Sequence, residues 1–320
     1  MTASLALAAD IGGTTMRAAL VDRSGSVLAR TAGPTQPERG LDDAAERLVS
    51  MLADVRGAAP SEVAALGVST AGPIDPATGT YRQSPNLSTW DGLTMKPALE
   101  AALGVPVAVG HDATLAAMAE VEFGAGRGMR DLLYLTVSTG VGAGIIANGL
   151  PVTGATGGAG EAGHLIIRRG GPTCAAGCEG CLEALVSGTG IAAAALRRAV
   201  LGHQTRLRDL DTMTAVDVFD VARDGDEVAQ EIVADVVQSL AAGLAGLLAV
   251  FDPQLVVLGG GVIDGLRAYW GDVVAATQAQ ALPRYSDGVP LAISEFGDSV
   301  SLLGASVLAF QLDDGARHRA

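Results

Sequence analysis

The chain has 320 residues, enough for one large domain or two of ordinary size, and at 49% hydrophobic content it can bury a substantial core built with few aromatics (3%). A formal net charge of −14 argues against a dedicated nucleic-acid binder, because phosphate backbones reward clustered Lys and Arg. It does not exclude a nucleotide held by local backbone dipoles and a metal ion.

The segment Leu5 to Ala9 reads as a strand, and no basic stretch precedes it, so a signal peptide is not expected. A glycine turn follows, Asp10-Ile11-Gly12-Gly13-Thr14-Thr15, then a strand from Met16 to Val21, a turn through Gly25, and a strand from Val27 to Arg30. Asp42 to Val55 has helical spacing, with Leu41, Ala45, Leu48 and Leu52 on one face. Ala64 to Ser69 is a strand ending at Ala71-Gly72-Pro73, Val105 to Val109 is another, and Asp112 to Phe123 is a helix. The opening pattern then returns, with strand Leu132 to Val137, glycine turn Ser138-Thr139-Gly140-Val141-Gly142 and strand Ala143 to Ala147. Two copies separated by roughly 130 residues suggest two related halves, since solenoid repeats recur every ~20–50. Ala229 to Val250 reads as a long helix with a break expected at Gly243 or Gly246. Its apolar run Leu240 to Phe251 is about 12 residues, short of the ~20 that span a bilayer. Leu255 to Leu258 is a buried strand before Gly259-Gly260-Gly261, and Ser301 to Phe310 is a final helix. Alternating strands and helices with glycine turns predict an α/β protein.

Phosphate chemistry is the reading these turns support. The single lysine, Lys96, follows no glycine loop, so a Walker A site and protein-kinase chemistry are both excluded. Gly158-Ala159-Gly160-Glu161-Ala162-Gly163 matches the dinucleotide pattern but has no strand before it, and the match is set aside. Glycines in a hairpin tip let N–H groups approach phosphate oxygens, and threonines such as Thr14 and Thr15 add donors. Asp10 at the strand end can hold Mg²⁺, directly or through water. Thr139, Gly140 and Gly142 offer a second phosphate tip, and Gly259, Gly260 and Gly261 permit close approach of a flat base or ribose. Each alone is an ordinary turn; three in this order point to ATP.

With these motifs in hand, the chain resembles the ROK family of sugar kinases and sugar-responsive repressors over nearly its whole length. Asp10-Ile11-Gly12-Gly13-Thr14 is similar to the family's first phosphate motif. Glu161-Ala162-Gly163-His164 matches its Glu-x-Gly-His signature, and Cys174 through Glu183 is similar to its cysteine-rich signature. The resemblance implies an actin-like ATPase (ribonuclease H-like) fold of two domains with ATP and sugar in a cleft between them. Residues 1–112, completed by a returning helix at about 300–320, would form the smaller domain, and 113–299 the larger. Repressor members carry a helix-turn-helix before the first phosphate motif, and few residues precede Asp10, which favours a kinase.

By resemblance Asp112 is the base that accepts the sugar hydroxyl's proton, although an Asp at a helix start is also an ordinary N-cap. The family usually has Asn just before it, contacting the sugar; this chain has His111, which can also bond a hydroxyl. Gly72, Asn86, Glu161, His164 and Glu183 complete the implied sugar site. Three cysteines close in sequence favour a metal over a disulfide framework. His164, Cys174, Cys178 and Cys181 make a set that structural zinc accepts, with Cys178 replacing the ligand missing at Ala176; three thiols without metal, or a redox pair at Cys178 and Cys181, are the alternatives. The expected activity is ATP- and Mg²⁺-dependent phosphorylation of a monosaccharide, glucose or else an N-acetylhexosamine, by a cytoplasmic homodimer or larger homo-oligomer with no nucleic-acid or membrane partner. A sugar-sensing protein without catalysis and an actin-fold structural ATPase are the other classes, disfavoured by the acidic pair and by the Glu161–His164 and Cys181–Glu183 motifs.

Overall fold

Two five-stranded sheets built on one plan organise the protein. The computed structural model describes residues 5–59, 62–82, 84–202, 204–210, 212–286 and 288–317. Strands β1 (Leu5–Ile11), β2 (Thr15–Asp22) and β3 (Val27–Pro34) form an antiparallel meander. Helix α1 (Leu41–Arg56) leads to β4 (Val63–Thr70), parallel to β1. A small ribbon, β5 (Ile74–Asp75) and β6 (Thr80–Tyr81), and helix α2 (Lys96–Leu103) precede β7 (Val107–His111), which is parallel to β4 and runs directly into α3 (Asp112–Glu122). Next come β8 (Leu132–Val137), β9 (Val141–Ala147) and β10 (Leu150–Pro151), then α4 (Leu182–Val186), α5 (Gly188–Val200), α6 (Ala215–Arg223) and α7 (Glu227–Phe251). The chain finishes with β11 (Leu255–Gly259), α8 (Gly261–Gly265), α9 (Trp270–Gln280), α10 (Pro283–Ser286), β12 (Leu291–Ile293) and α11 (Val300–Arg317). The sheet orders are β3-β2-β1-β4-β7 and β10-β9-β8-β11-β12. In each, the first strand lies centrally, with its hairpin on one side and two later parallel strands on the other.

The chain divides into two compact units: Met1–Arg130 with Gly144–Gly160 and Glu295–Ala320, and Asp131–Ala143 with Glu161–Ser294. In the first unit β1 is buried along its whole length, as a central strand covered on both faces must be. Its side chains alternate by size. Leu5, Leu7, Ala9 and Ile11 join Leu41, Leu48 and Leu52 of α1 in one core layer, while Ala6 meets Ala65 of β4 with Ala309 and Phe310 of α11 on the other. The alanine face is small because α11 lies very close: a Cβ on Gly67 of β4 would overlap the carbonyl oxygen of Ala305.

In the second unit α7 packs against α9, α6 and α4. It runs unbroken through both glycines expected to interrupt it. Gly243 makes room for Leu182, whose nearest atoms would lie 2.9 Å from a Cβ there, and Gly246 faces open space. The apolar stretch is longer than the sequence run suggested. An 18-residue window of α7 has mean hydropathy 1.8, enough by length and composition to cross a membrane, and 61% of it is buried within the protein.

These two kinds of glycine respond oppositely to alanine. Gly67→Ala is expected to lower stability by about 1–3 kcal/mol through overpacking against α11. Gly246→Ala, in an exposed helix position, is expected to raise it by about 0.5–1 kcal/mol. Urea denaturation of the two variants checks both signs; a neutral Gly67→Ala would show that α11 can retreat without loss.

Candidate functional site

In the first unit the turn between β1 and β2 is closed by Gly12 N–H donating to Thr15 O at 2.9 Å. Thr35, fully buried, braces it from behind, donating Oγ1 to Gly12 O at 2.7 Å and its N–H to Thr14 O at 2.9 Å. Gly13 and Thr14 are left at an accessible tip, and Thr15 begins β2. Asp10 sits at the buried end of β1, where Arg17 NH1 donates to its Oδ2 at 3.0 Å. Burial, then the negative charge of Asp112, push the Asp10 carboxyl up to about 6, with Ser69 and Arg17 offsetting only part of this. A buried carboxylate beside a second carboxylate is short of positive charge, the electrostatic demand that a divalent cation meets. Arg17, whose NH2 also lies 3.6 Å from Asp298, was not singled out in the sequence. It stands directly opposite Asp10 in the β1–β2 register, which only the pairing reveals.

Asp112 is the first residue of α3, immediately after β7 has paired His111 with Thr70 of β4. Its Oδ1 accepts from Ala113 N–H at 2.6 Å and lies 3.3 Å from His111 Nε2. Both contacts fall on one oxygen, and the side chain is a third exposed (34%), so Oδ2 is the oxygen presented outward. Gly72 has φ +84° and no space for a Cβ beside Ser84, which accounts for glycine there by packing alone. Asn86 falls in the turn Pro85–Trp90, and its side chain lies outside the described residues.

In the second unit the turn between β8 and β9 is shaped by Ser138 N–H donating to Gly140 O at 2.9 Å. Glu183 Oε2 accepts from Val141 N–H at 3.0 Å, and a Cβ on Gly140 would come within 2.7 Å of the same oxygen. Glu183 thus props the turn, and Gly142 follows within β9. Gly188 N–H donates to Ser138 O at 2.7 Å and Thr189 Oγ1 to Thr139 O at 3.0 Å, so the start of α5 abuts the same turn. A cavity of about 600 Å³ opens there, bordered by Ser138, Thr139, Gly188, Thr189 and Gly261, with an apolar wall that includes Val216 and Phe219. A glycine turn set against the positive end of a helix suits phosphate, and the apolar wall suits a base. Of the three late glycines, Gly261 alone borders this cavity. Gly259 is required by Tyr134 and Gly260 by the backbone of Val137, each leaving no room for a Cβ. Gly188 and Thr189 were missed in the sequence, where the run Ser187-Gly188-Thr189-Gly190 was the available signal.

The cysteine loop is tied by Cys174 N–H donating to Cys178 O and Gly177 N–H to Cys174 O, both at 3.0 Å. It brings donor atoms of His164, Cys174 and Cys178 within 4.8 Å of one another, with His164 Nδ1 3.8 Å from Cys174 Sγ. His164 Nε2 lies 3.7 Å from Glu161 Oε2, the kind of outer partner that metal-bound histidines take. Burial opposes ionisation of Cys174, but N–H groups of the loop win and hold its thiol below the ordinary range. Cys181 stands outside the gathered trio. It caps α4 and bridges to Ile166, fully buried, and burial pushes its thiol up to about 11. Cys174 adds to that rise, so the two thiols are neighbours. One imidazole and two converging thiols, with a third thiol adjacent, are donors of the type and number that structural zinc takes.

The chain is similar to known proteins over nearly its whole length. The sequence profile of the ROK family matches residues 6–312. A glucokinase of Thermotoga maritima is 31% identical over 301 residues, covering 93% of this chain and 94% of that protein. An N-acetylmannosamine kinase of Salmonella typhimurium is 33% identical over 303 residues, covering 95% and 97%. Among solved structures, a ROK family glucokinase from Streptomyces griseus in complex with glucose and AMPPNP superposes with a TM-score of 0.78 at 29% identity, over 96% of this chain and 100% of that one.

Asp10 gives a stability prediction whose sign follows from its raised pKa. The folded state favours the protonated carboxyl, so this contribution is fully present below about pH 4 and is lost as pH rises through about 6. Asp10→Asn removes the buried charge. Without metal or nucleotide it is expected to be more stable than the parent at pH 8, by up to about 3 kcal/mol, with the gain vanishing toward pH 4. Urea denaturation across pH measures the difference; a gain independent of pH would contradict the burial argument.

Proposed function

The chain belongs to the ROK family, and from that premise we propose that it is an ATP-dependent sugar kinase carrying the γ-phosphate of ATP to a hydroxyl of a hexose, with glucose as acceptor. The observation that carries the reading is the acidic pair of the first unit: Asp10 buried and short of cationic charge, Asp112 held by one oxygen with the other presented outward. Asp112 Oδ2 takes the hydroxyl proton as attack begins, a role that needs a carboxylate within hydrogen-bond reach and little else. Asp10 would hold Mg²⁺, which supplies charge neutralisation on the phosphates. The N–H groups and hydroxyls of Gly13, Thr14 and Thr15, and of Thr139, Gly140 and Gly142, serve phosphate oxygens, and Gly12, whose N–H closes the turn on Thr15 O, lets the phosphate come close. The cavity bordered by Gly188, Thr189 and Gly261 receives the rest of the nucleotide. ATP as co-substrate supports a cytoplasmic location.

Sugar hydroxyls fall to Asn86, Glu161, His164 and Glu183, with Gly72 shaping a nearby turn, whereas His111, with Nδ1 buried and Nε2 beside Asp112, has no ring nitrogen left to bond the sugar. Zinc would be held by His164, Cys174, Cys178 and, after a side-chain rotation, Cys181. It would tie the segment of Glu161 to that of Glu183 without touching phosphate. The N-acetylmannosamine kinase relative supports a second acceptor class, the N-acetylhexosamines.

Purified protein with Mg-ATP is expected to release ADP when given glucose, and little without sugar. A panel of hexoses and N-acetylhexosamines in a coupled assay decides the acceptor; ATP binding without stimulation by any of them would sink the kinase reading. Asp112→Asn is expected to cut kcat by ~10²-fold or more with the KM for ATP little changed. Metal analysis of protein purified without chelators is expected to find about one zinc per chain, lost in Cys178→Ala together with a raised sugar KM. Metal-free parent protein would overturn the zinc assignment.

A further inference from the structure

We propose that His111 is a positioning residue acting through Asp112, its Nε2–H engaging Oδ1 so that Oδ2 is the oxygen left to receive the sugar proton. The proposal rests on the kinase reading above for its function, but not for its geometry. His111 is the last residue of β7, paired with Thr70 of β4, and the next residue begins α3, so its backbone is fixed on both sides. Its side chain is only 14% exposed. One ring nitrogen, Nε2, lies 3.3 Å from Asp112 Oδ1, a long contact of the kind that tightens when substrate binds. The other, Nδ1, is buried with no hydrogen-bond partner among the described residues.

Those two facts select a tautomer. With the proton on Nδ1, a donor would be buried unpaired and the Nε2 lone pair would face a carboxylate oxygen. With the proton on Nε2, the N–H sits on the ring nitrogen nearest Oδ1 and only an acceptor remains buried, which costs less to leave weakly solvated. His111 also lines a cavity of about 80 Å³ with Thr114, Thr153, Val109 and Met118. That is room for a water, whose share of the liquid is about 30 Å³, and the two threonines supply polar partners. A water there accepting from a threonine hydroxyl and donating to Nδ1 would lock the Nε2–H tautomer.

Asn, the residue the family usually carries at this position, has a different reach. Its amide nitrogen falls near where imidazole has Nδ1, whereas the longer Gln places its amide nitrogen near Nε2. If His111 only contacted the sugar, Asn would substitute well; if it holds Asp112, Gln is the better replacement.

The test has two arms on the full chain. In ¹⁵N-histidine-labelled protein, which has four histidines, the His111 signal is assigned by its loss in His111→Gln. The neutral ring is expected as the Nε2–H tautomer, shifted in Asp112→Asn. An Nδ1–H tautomer, or no response to Asp112→Asn, overturns the proposal whether or not the protein is a kinase. In sugar-dependent ADP release, His111→Asn and His111→Phe are expected to lose ~10-fold or more in kcat with sugar KM within about threefold, and His111→Gln to stay within about threefold of the parent. Parent-like kcat in His111→Asn, or a loss confined to sugar KM, overturns it; the Asn and Gln pair decides if Phe prevents folding. A parent that shows no sugar-dependent turnover counts against the kinase reading and leaves the tautomer arm to decide the His111–Asp112 contact.

Discussion

Helix α3 is held by glycine on two sides, and the placement of Asp112 depends on that grip. Gly144 of β9 lies where a Cβ would overlap the carbonyl of Ala113, and Gly304 of α11 where one would overlap the carbonyl of Leu115. Backbone packs on backbone at both points, with no side chain between to flex or change rotamer. Every residue of α3 from Ala113 to Glu120 is buried. A chain with few aromatics fills its core by bringing layers close together instead of with large side chains, and the stiffness that results is what the base proposed at Asp112 would need. An error of an ångström at the first turn of α3 would move Asp112 out of hydrogen-bond reach of a bound hydroxyl.

The same unit keeps an arrangement that folding alone would not favour. Asp10 and Asp112 are close enough to raise the Asp10 pKa, and Asp10 is buried with one cationic neighbour. Folding requires only that the core close. On the proposed reading, phosphoryl transfer requires negative groups able to gather a metal and take a proton, and the two requirements would conflict at Asp10. Arg17 tempers the conflict without removing it, since its guanidinium also reaches toward Asp298. The braces behind the glycine turn, Thr35 above all, keep the loop in shape without contributing to its charge.

Much of this was legible in the sequence. Two glycine turns set in matching strand patterns announce a repeated supersecondary unit, and the two sheets do share one strand order. The alternation of Leu and Ala in β1 is readable as a strand with two unlike faces. What stayed hidden was adjacency between distant residues. Glu183 gave no sign that it props the turn at Val141, and Arg17 none that it faces Asp10. Glycine was the most ambiguous letter. Gly259 and Gly260 looked like ligand-approach glycines and are accounted for by Tyr134 and Val137, while Gly243 looked like a helix break and is accounted for by Leu182. A missing Cβ records that something is near, not what it is.

The order in which these contacts can form during synthesis follows from α11. The central strand of the first sheet is made long before α11, yet one of its two faces is covered by Ala309 and Phe310 of that helix. Throughout elongation the alanine face of β1 and β4 stays uncovered, and α3 lacks the Gly304 side of its grip. The second unit, whose segments end at Ser294, is complete before the first. A ribosome stalled before α11 would therefore hold a chain whose second unit can be folded while the unit bearing Asp112 is still open, exposing an apolar strand surface of the kind chaperones bind.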